Sequence, residues 1–246
     1  MSTIMTRSVE YTHDDVLLEG FMASPSAPQA RPAVLLVHEW GGIGAHVQAR
    51  ARQIAERLGY HALAVDVYGK GVRPTSREAC AETMMLYVND RDLLRARLQA
   101  ALEWVRMQPD VESGSIAIAG YCFGGLAAME LARSGADILL AASFHGNLST
   151  RDPAEAKQIS CPVVAFHGAA DPLVTQDVVA GFEQEMSAAG VDWTVVQFGG
   201  VMHSFTNPDA NDPDFGTVYN AQAAERSFAM FGQYLAAAFD EANKVS

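Results

Sequence analysis

Apolar runs of strand length alternate with segments of helical period along almost the whole chain. Ala33-Val34-Leu35-Leu36-Val37 is continuously apolar, the pattern of a strand covered on both faces. Ala62 to Val65, Ser115 to Ala119, Ile138 to Phe144, Val163 to Phe166 and Trp193 to Phe198 read as further strands. Between them, Ala45 to Leu58, Ser76 to Met107, Leu126 to Ala132 and Val178 to Ala189 carry helical spacing, the second of these breaking into two helices near Asn89-Asp90. A last helix, about Ala221 to Phe239, places Phe228, Phe231 and Leu235 on one face. Val16 to Met22 reads as an early antiparallel strand, and Ala23 to Pro32 as a turn rich in Pro, Ser and Ala. Strands separated by helices predict an α/β fold, a doubly wound and mostly parallel sheet with helices on both faces. No linker, repeat or low-complexity stretch interrupts the alternation, so residues 1–246 read as a single domain. In such sheets, binding sites form beyond the carboxyl ends of the strands.

Composition narrows the possibilities. The chain is 49% hydrophobic and 19% charged over 246 residues, enough for a substantial core. Its net charge is −12 and its Lys and Arg do not cluster, which argues against nucleic acid and anionic membranes as partners. No apolar run approaches the ~20 residues of a membrane span. The first residues lack the basic-then-apolar order of a signal peptide. Three cysteines, an odd number, do not read as a disulfide framework, so a cytoplasmic protein with reduced thiols is expected. Cys80, in a helical pattern, and Cys161, before Pro162 at a strand start, read as structural.

Cys122 differs. It occupies the centre of Gly120-Tyr121-Cys122-Phe123-Gly124, a G-x-C-x-G directly behind the apolar run ending at Ala119. The same spacing with serine is the nucleophile elbow of α/β-hydrolases, a sharp strand-to-helix turn that lifts one side chain above the sheet edge. Amide groups at the following helix start favour a thiolate and a developing oxyanion. The alternative is a buried structural cysteine, one of the commonest fully buried residue types.

Two later segments supply partners. Asp171 follows the strand ending in Phe166-His167-Gly168, and His203 lies in the loop Gly199 to Phe205 after the last strand. The order nucleophile, acid, base is the α/β-hydrolase order. A histidine can take the thiol proton, and an acid behind it fixes the tautomer. Taken singly, Asp171 could be a turn former before Pro172 and His203 an exposed loop residue. The oxyanion hole is expected from the backbone N–H groups of Phe123 and of Trp40, in His38-Glu39-Trp40-Gly41-Gly42. Glu39 is an unusual acid in such a turn, either solvated or part of the site. His145, after the strand ending at Phe144, reads as a packing or structural residue that could also line the pocket.

These residues carry a resemblance to the dienelactone hydrolases (carboxymethylenebutenolidases) of the α/β-hydrolase superfamily. Gly120 to Gly125, Asp171 after His167-Gly168, His203-Ser204-Phe205, Asp66-Val67-Tyr68 and Glu39 all match. The resemblance spans nearly the whole chain. It implies a Cys122–His203–Asp171 triad and a Glu39 that contacts the resting thiol and helps form the thiolate. One departure is informative: the family holds its substrate carboxylate with arginines, one shortly after the His-Ser-Phe motif, where this chain reads Thr206-Asn207-Pro208-Asp209. Arg77 lies in the region of the family's other arginine, with Arg73 and Arg91 as rivals.

The expected activity is hydrolysis of activated enol or aryl esters or lactones through a thioester, by a monomer or homodimer that needs no cofactor. His38-Glu39 lacks the H-E-x-x-H spacing and the other histidines lack metal-ligand spacing, so no metal is expected. One alternative keeps the site and changes the electrophile to a neutral aryl phosphotriester. Another is a non-catalytic binding or redox-sensing protein built on a hydrolase fold.

Overall fold

The computed structural model describes residues 3–27 and 29–245. Its strands form a mixed, mostly parallel eight-stranded sheet in the order β1-β2-β4-β3-β5-β6-β7-β8. The chain divides into two compact units, Met1–Ile118 and Ala119–Ser246.

The first unit holds β1 (Ile4–His13), β2 (Val16–Pro25), β3 (Arg31–Val37), α1 (Ala45–Arg57), β4 (His61–Val65), α2 (Arg77–Asn89), α3 (Arg91–Arg106) and most of β5 (Val111–Tyr121). β3 and β4 run parallel, with Val34 opposite Ala62 and Val37 opposite Val65. Residues 33–37 and 62–65 are completely buried, as their unbroken apolar runs require. β2 pairs antiparallel with β4, as expected of an early antiparallel strand, and extends to Pro25, beyond the expected start of the turn at Ala23. β1 is an element the sequence pattern does not announce. It pairs with β2 over ten positions and buries only Val9 and Tyr11, too few apolar positions to stand out. The break near Asn89-Asp90 is real: Asp90 accepts a hydrogen bond from Leu93 N at 2.9 Å and caps α3.

The second unit contains the end of β5, α4 (Phe123–Arg133), β6 (Ala141–Phe144), a 3₁₀ turn at Pro153–Gln158, β7 (Val163–Gly168), α5 (Gln176–Ala189), β8 (Trp193–Phe198), the two-residue strands β9 (Asn211–Asp212) and β10 (Thr217–Val218), and α6 (Ala221–Val245). β6, β7 and β8 are parallel neighbours. Stacked rings join Tyr121 to Phe144 and Phe144 to Phe166, with centroids 4.9 and 4.8 Å apart, and Phe231 of α6 meets Phe144 edge-on at 5.4 Å. This aromatic column makes the carboxyl ends of β5, β6 and β7 one packed layer.

Every residue of α4 is buried, Glu130 and Arg133 included. A charge can stay there only if it is fully paired. The Arg133 guanidinium donates to both carboxylate oxygens of Glu185, Nε to Oε1 at 2.8 Å and Nη2 to Oε2 at 2.7 Å. It also donates to Glu130 Oε1 at 3.2 Å and to the Leu148 carbonyl at 3.1 Å. Arg133 thus ties α4 to α5 and to the segment after β6. Arg133→Leu would leave two buried carboxylates without their cation, and urea unfolding should show a loss of about 3–5 kcal/mol. A loss below about 1 kcal/mol would mean that the pair is readily replaced.

Candidate active site

The turn between β5 and α4 holds Cys122 at φ 56° and ψ −114°, a conformation that costs a non-glycine residue of order 1–3 kcal/mol. Two contacts impose it. The Cys122 amide donates to the Phe144 carbonyl at 3.0 Å, and its carbonyl accepts from the Gly125 amide at 3.0 Å. A Cβ on Gly120 would lie 1.9 Å from the Gly124 oxygen, so the backbones on either side of the turn touch where the two glycines stand. A Cβ on Gly125 would meet Ser143 Oγ at 2.4 Å and Gly146 Cα at 2.8 Å, which presses α4 against the end of β6. The half-buried Cys122 caps α4, and Phe123 opens its first turn, where backbone N–H groups lack helical partners. Cys80 and Cys161 are buried free thiols, and burial raises both above the ordinary range, Cys161 to about 12. Neither suits nucleophilic chemistry.

Asp171 and His203 are brought together, with Asp171 Oδ2 2.7 Å from His203 Nδ1. The other carboxylate oxygen accepts from the amides of Leu173 at 2.8 Å and Val174 at 3.1 Å. Those amides fix the carboxylate's direction. The His203 backbone is held in turn: its amide donates to the Gly216 carbonyl at 2.9 Å and its carbonyl accepts from Val218 at 3.0 Å. Gly216 has φ 88°, and a Cβ there would stand 2.1 Å from Pro172 Cγ, next to Asp171. A Cβ on Gly168 would lie 2.5 Å from the Val201 carbonyl. The acid loop and the base loop are therefore packed backbone to backbone.

Burial alone would lower the basicity of His203, but the Cys122 charge on one side and the Asp171 carboxylate on the other override it and push the imidazole up to about 10. His203 Nε2 makes no hydrogen bond that meets full geometry, so the thiol acts on it as a near neighbour rather than a tight partner. Such contacts commonly tighten only when substrate is bound. His167, buried at the end of β7, is driven the other way, chiefly by burial.

Glu39 and Trp40 lie in the first unit, in the loop after β3. The Glu39 carbonyl meets His38 Nδ1 at 2.6 Å and accepts from the Gly42 amide at 3.3 Å, while the Trp40 carbonyl accepts from Tyr68 Oη at 3.0 Å. Complete burial lowers His38 to about 4. The Glu39 carboxylate lies 3.4 Å from His46 Nδ1, and Arg50 Nε donates to His46 Nε2 at 3.3 Å. His46 and Arg50 escape sequence reading because they belong to the ordinary helical spacing of α1. Arg73 is committed to the protein itself: it donates to the Val72, Gly69 and Glu19 carbonyls and lies 3.5 Å from the buried Asp66. Arg91 Nε donates to the Val88 carbonyl at 2.7 Å, and Arg77 opens α2. Thr206 is buried and 2.8 Å from His145 Nε2. His145 is fully buried. Among the described residues no group of three or more His, Cys, Asp or Glu is placed to hold a metal, and no helix is long and apolar enough to cross a membrane.

The raised His203 has a signed consequence. Its protonated form stabilises the fold fully below the unfolded value of about 6.5, and that contribution is lost as pH climbs toward about 10. Converting Cys122 to a neutral thioether with iodoacetamide removes one of the two opposing charges. Ring-resonance titration by NMR should then show His203 losing its proton at a clearly lower pH than in the untreated protein. An unchanged midpoint would show that the thiol exerts no field on the ring.

The chain is similar to known proteins over most of its length. The family model described as "Dienelactone hydrolase family" matches residues 18–239. A dienelactone hydrolase-like promiscuous phosphotriesterase from metagenomic libraries is 34% identical, with a TM-score of 0.91 over 96% of this chain and 99% of that one. An uncharacterised protein of Caenorhabditis elegans is 35% identical over 59% of this chain and 94% of its own. A candidate carboxymethylenebutenolidase of Aquifex aeolicus is 28% identical over 85% of this chain and 90% of that one. With the eight-stranded order, the glycine-tight turn at Cys122 and a family match over most of its length, this chain belongs to the dienelactone hydrolase family of the α/β-hydrolase superfamily.

Proposed function

We propose that the protein is a cysteine-nucleophile hydrolase acting on neutral, activated esters or lactones of enols and phenols, with residues 1–246 working as one catalytic domain. The observation that carries this reading is a strained elbow thiol whose charge acts on a buried imidazole that Asp171 holds at 2.7 Å. Cys122 thiolate attacks the carbonyl carbon, and the carbonyl electron pair moves to oxygen. The N–H group of Phe123, at the start of α4, stabilises that oxyanion. The intermediate collapses to a thioester as His203 gives its proton to the departing enolate or phenolate.

The electrostatics then reverse in the useful direction. Once acylated, Cys122 bears no charge, and the largest influence left on His203 is burial, which lowers its basicity. The ring that released its proton to the leaving group stays neutral and serves as the base for water. Water attack on the thioester releases the acid and restores the thiol. Thiolate is itself a good leaving group, so alkyl esters return to substrate from the tetrahedral intermediate, whereas stabilised enolates and phenolates go forward.

A second reading takes the same nucleophile and oxyanion donor to a neutral aryl phosphotriester. Its support is the 34% identical neighbour described as a promiscuous phosphotriesterase.

Hydrolysis of p-nitrophenyl acetate tests the core of the proposal. Cys122→Ala should abolish it, Cys80→Ala and Cys161→Ala should leave most of it, and full activity in Cys122→Ala would end the mechanism. Asp171→Asn and His203→Ala should each cost several orders of magnitude in kcat, with losses far from additive.

Substrate charge gives an independent check. Arg73 is spent on Asp66 and on carbonyls, the segment after Phe205 offers no cation, and the chain carries −12. A neutral aryl ester should exceed its carboxylate-bearing analogue in kcat/KM by on the order of tenfold, the worth of one missing charge-assisted contact. Preference for the anionic analogue at both low and high salt would restore dienelactones as the leading substrates and point to Arg77 or Arg91.

A further inference from the structure

His145 is a fully buried histidine on a backbone that histidine rarely adopts, φ 43°, immediately after β6. Its neighbours on both sides are fixed to the elbow. The preceding residue, Phe144, accepts the Cys122 amide at 3.0 Å. The following residue, Gly146, would strike Gly125 Cα at 2.6 Å if it bore a Cβ. The His145 amide itself donates to the Phe166 carbonyl of β7 at 2.8 Å.

From this anchored position the ring crosses to the loop that carries His203. Its Nε2 is 2.8 Å from Thr206 Oγ1. Its plane meets the His203 ring edge-on at a centroid distance of 5.1 Å and the Phe205 ring at 5.2 Å. Thr206 lies three residues beyond His203, past Ser204, which is also left-handed at φ 54°. One side chain thus spans from the segment that positions the nucleophile to the loop that positions the base.

We propose that His145 is a positioning residue, a strut whose contact with Thr206 sets the separation and orientation of the Cys122–His203 pair. The catalytic part of this proposal rests on the hydrolase reading above, but the strut itself concerns the thiol–imidazole pair whether or not an ester is cleaved. The left-handed backbone is what aims the ring at Thr206 rather than along the strand. His145 is therefore not a spare base: its Nε2 is engaged with a hydroxyl, and His203 alone has Asp171 behind it.

The test combines Thr206→Val, nearly isosteric but without a hydroxyl, Thr206→Ser, which keeps it, and His145→Phe, which keeps a ring. Two quantities are read on each folded variant: kcat and KM for p-nitrophenyl acetate, and the pH dependence of Cys122 alkylation by iodoacetamide, followed by mass spectrometry of its peptide. Thr206→Val and His145→Phe should lower kcat on the order of tenfold with KM changed less than about twofold, since positioning errors act on the reacting geometry. Their alkylation midpoint should rise by about one pH unit as the imidazolium ceases to support the thiolate. Thr206→Ser should match the parent protein in both. A lower Tm with unchanged kcat and an unchanged alkylation profile would reduce His145 to packing and overturn the proposal. If His145→Phe does not fold, Thr206→Val decides alone. A shifted alkylation profile in a protein that proves to have no esterase activity would sustain the strut and refute the hydrolase reading.

Discussion

Cys122 cannot relax. Its backbone is held in a left-handed conformation by the Phe144 carbonyl, by the Gly125 amide and by two chain segments that touch where glycines remove the Cβ atoms. Release the turn and the thiol would swing away from the start of α4. The same turn fixes where α4 begins, and so which of its faces meets β6. The aromatic column of Tyr121, Phe144 and Phe166 lies beneath, and it gives the strained turn a floor that does not yield. Everything proposed about the chemistry assumes that this one dihedral is maintained by packing rather than by local preference.

Much of the fold was legible because parallel strands buried on both faces leave unbroken apolar runs, and residues 33–37 and 62–65 are of that kind. The split at Asn89-Asp90 was legible because Asp90 is a capping residue. β1 was not, since an edge strand that buries Val9 and Tyr11 alone carries almost no period-two signal. The strands β9 and β10 were illegible for another reason: two-residue pairings are made by the surroundings and have no local signature. Of the site, the order of Cys122, Asp171 and His203 could be read, because elbow glycines and a strand-end acid are sequence motifs, and the Asp171–His203 contact follows it. What could not be read is the support: the His145–Thr206 contact joins residues 61 apart in the chain, and His46 and Arg50 sit within the ordinary helical spacing of α1.

Two kinds of electrostatic site coexist in the second unit, and they are built on opposite principles. Around Arg133 every hydrogen-bonding direction is answered, the guanidinium fork matching the Glu185 carboxylate, and such a closed set has nothing left to react. Around His203 one nitrogen is answered by Asp171 at 2.7 Å, and the ring also feels the Cys122 sulfur. The first arrangement holds helices together. The second holds a proton at a place where it can leave.

The wholly buried α4 has a consequence for how the chain acquires its structure during synthesis. Arg133 emerges from the ribosome with Glu130 beside it, but the carboxylate that completes its pairing, Glu185, follows 52 residues later. Until α5 is made, α4 would have to bury an incompletely paired guanidinium, which the interior resists. The elbow helix can therefore form early but cannot be sealed early. The surroundings of Cys122 become native only when most of the second unit exists, and a ribosome-bound chain stalled before Glu185 would carry its thiol in an unfinished turn.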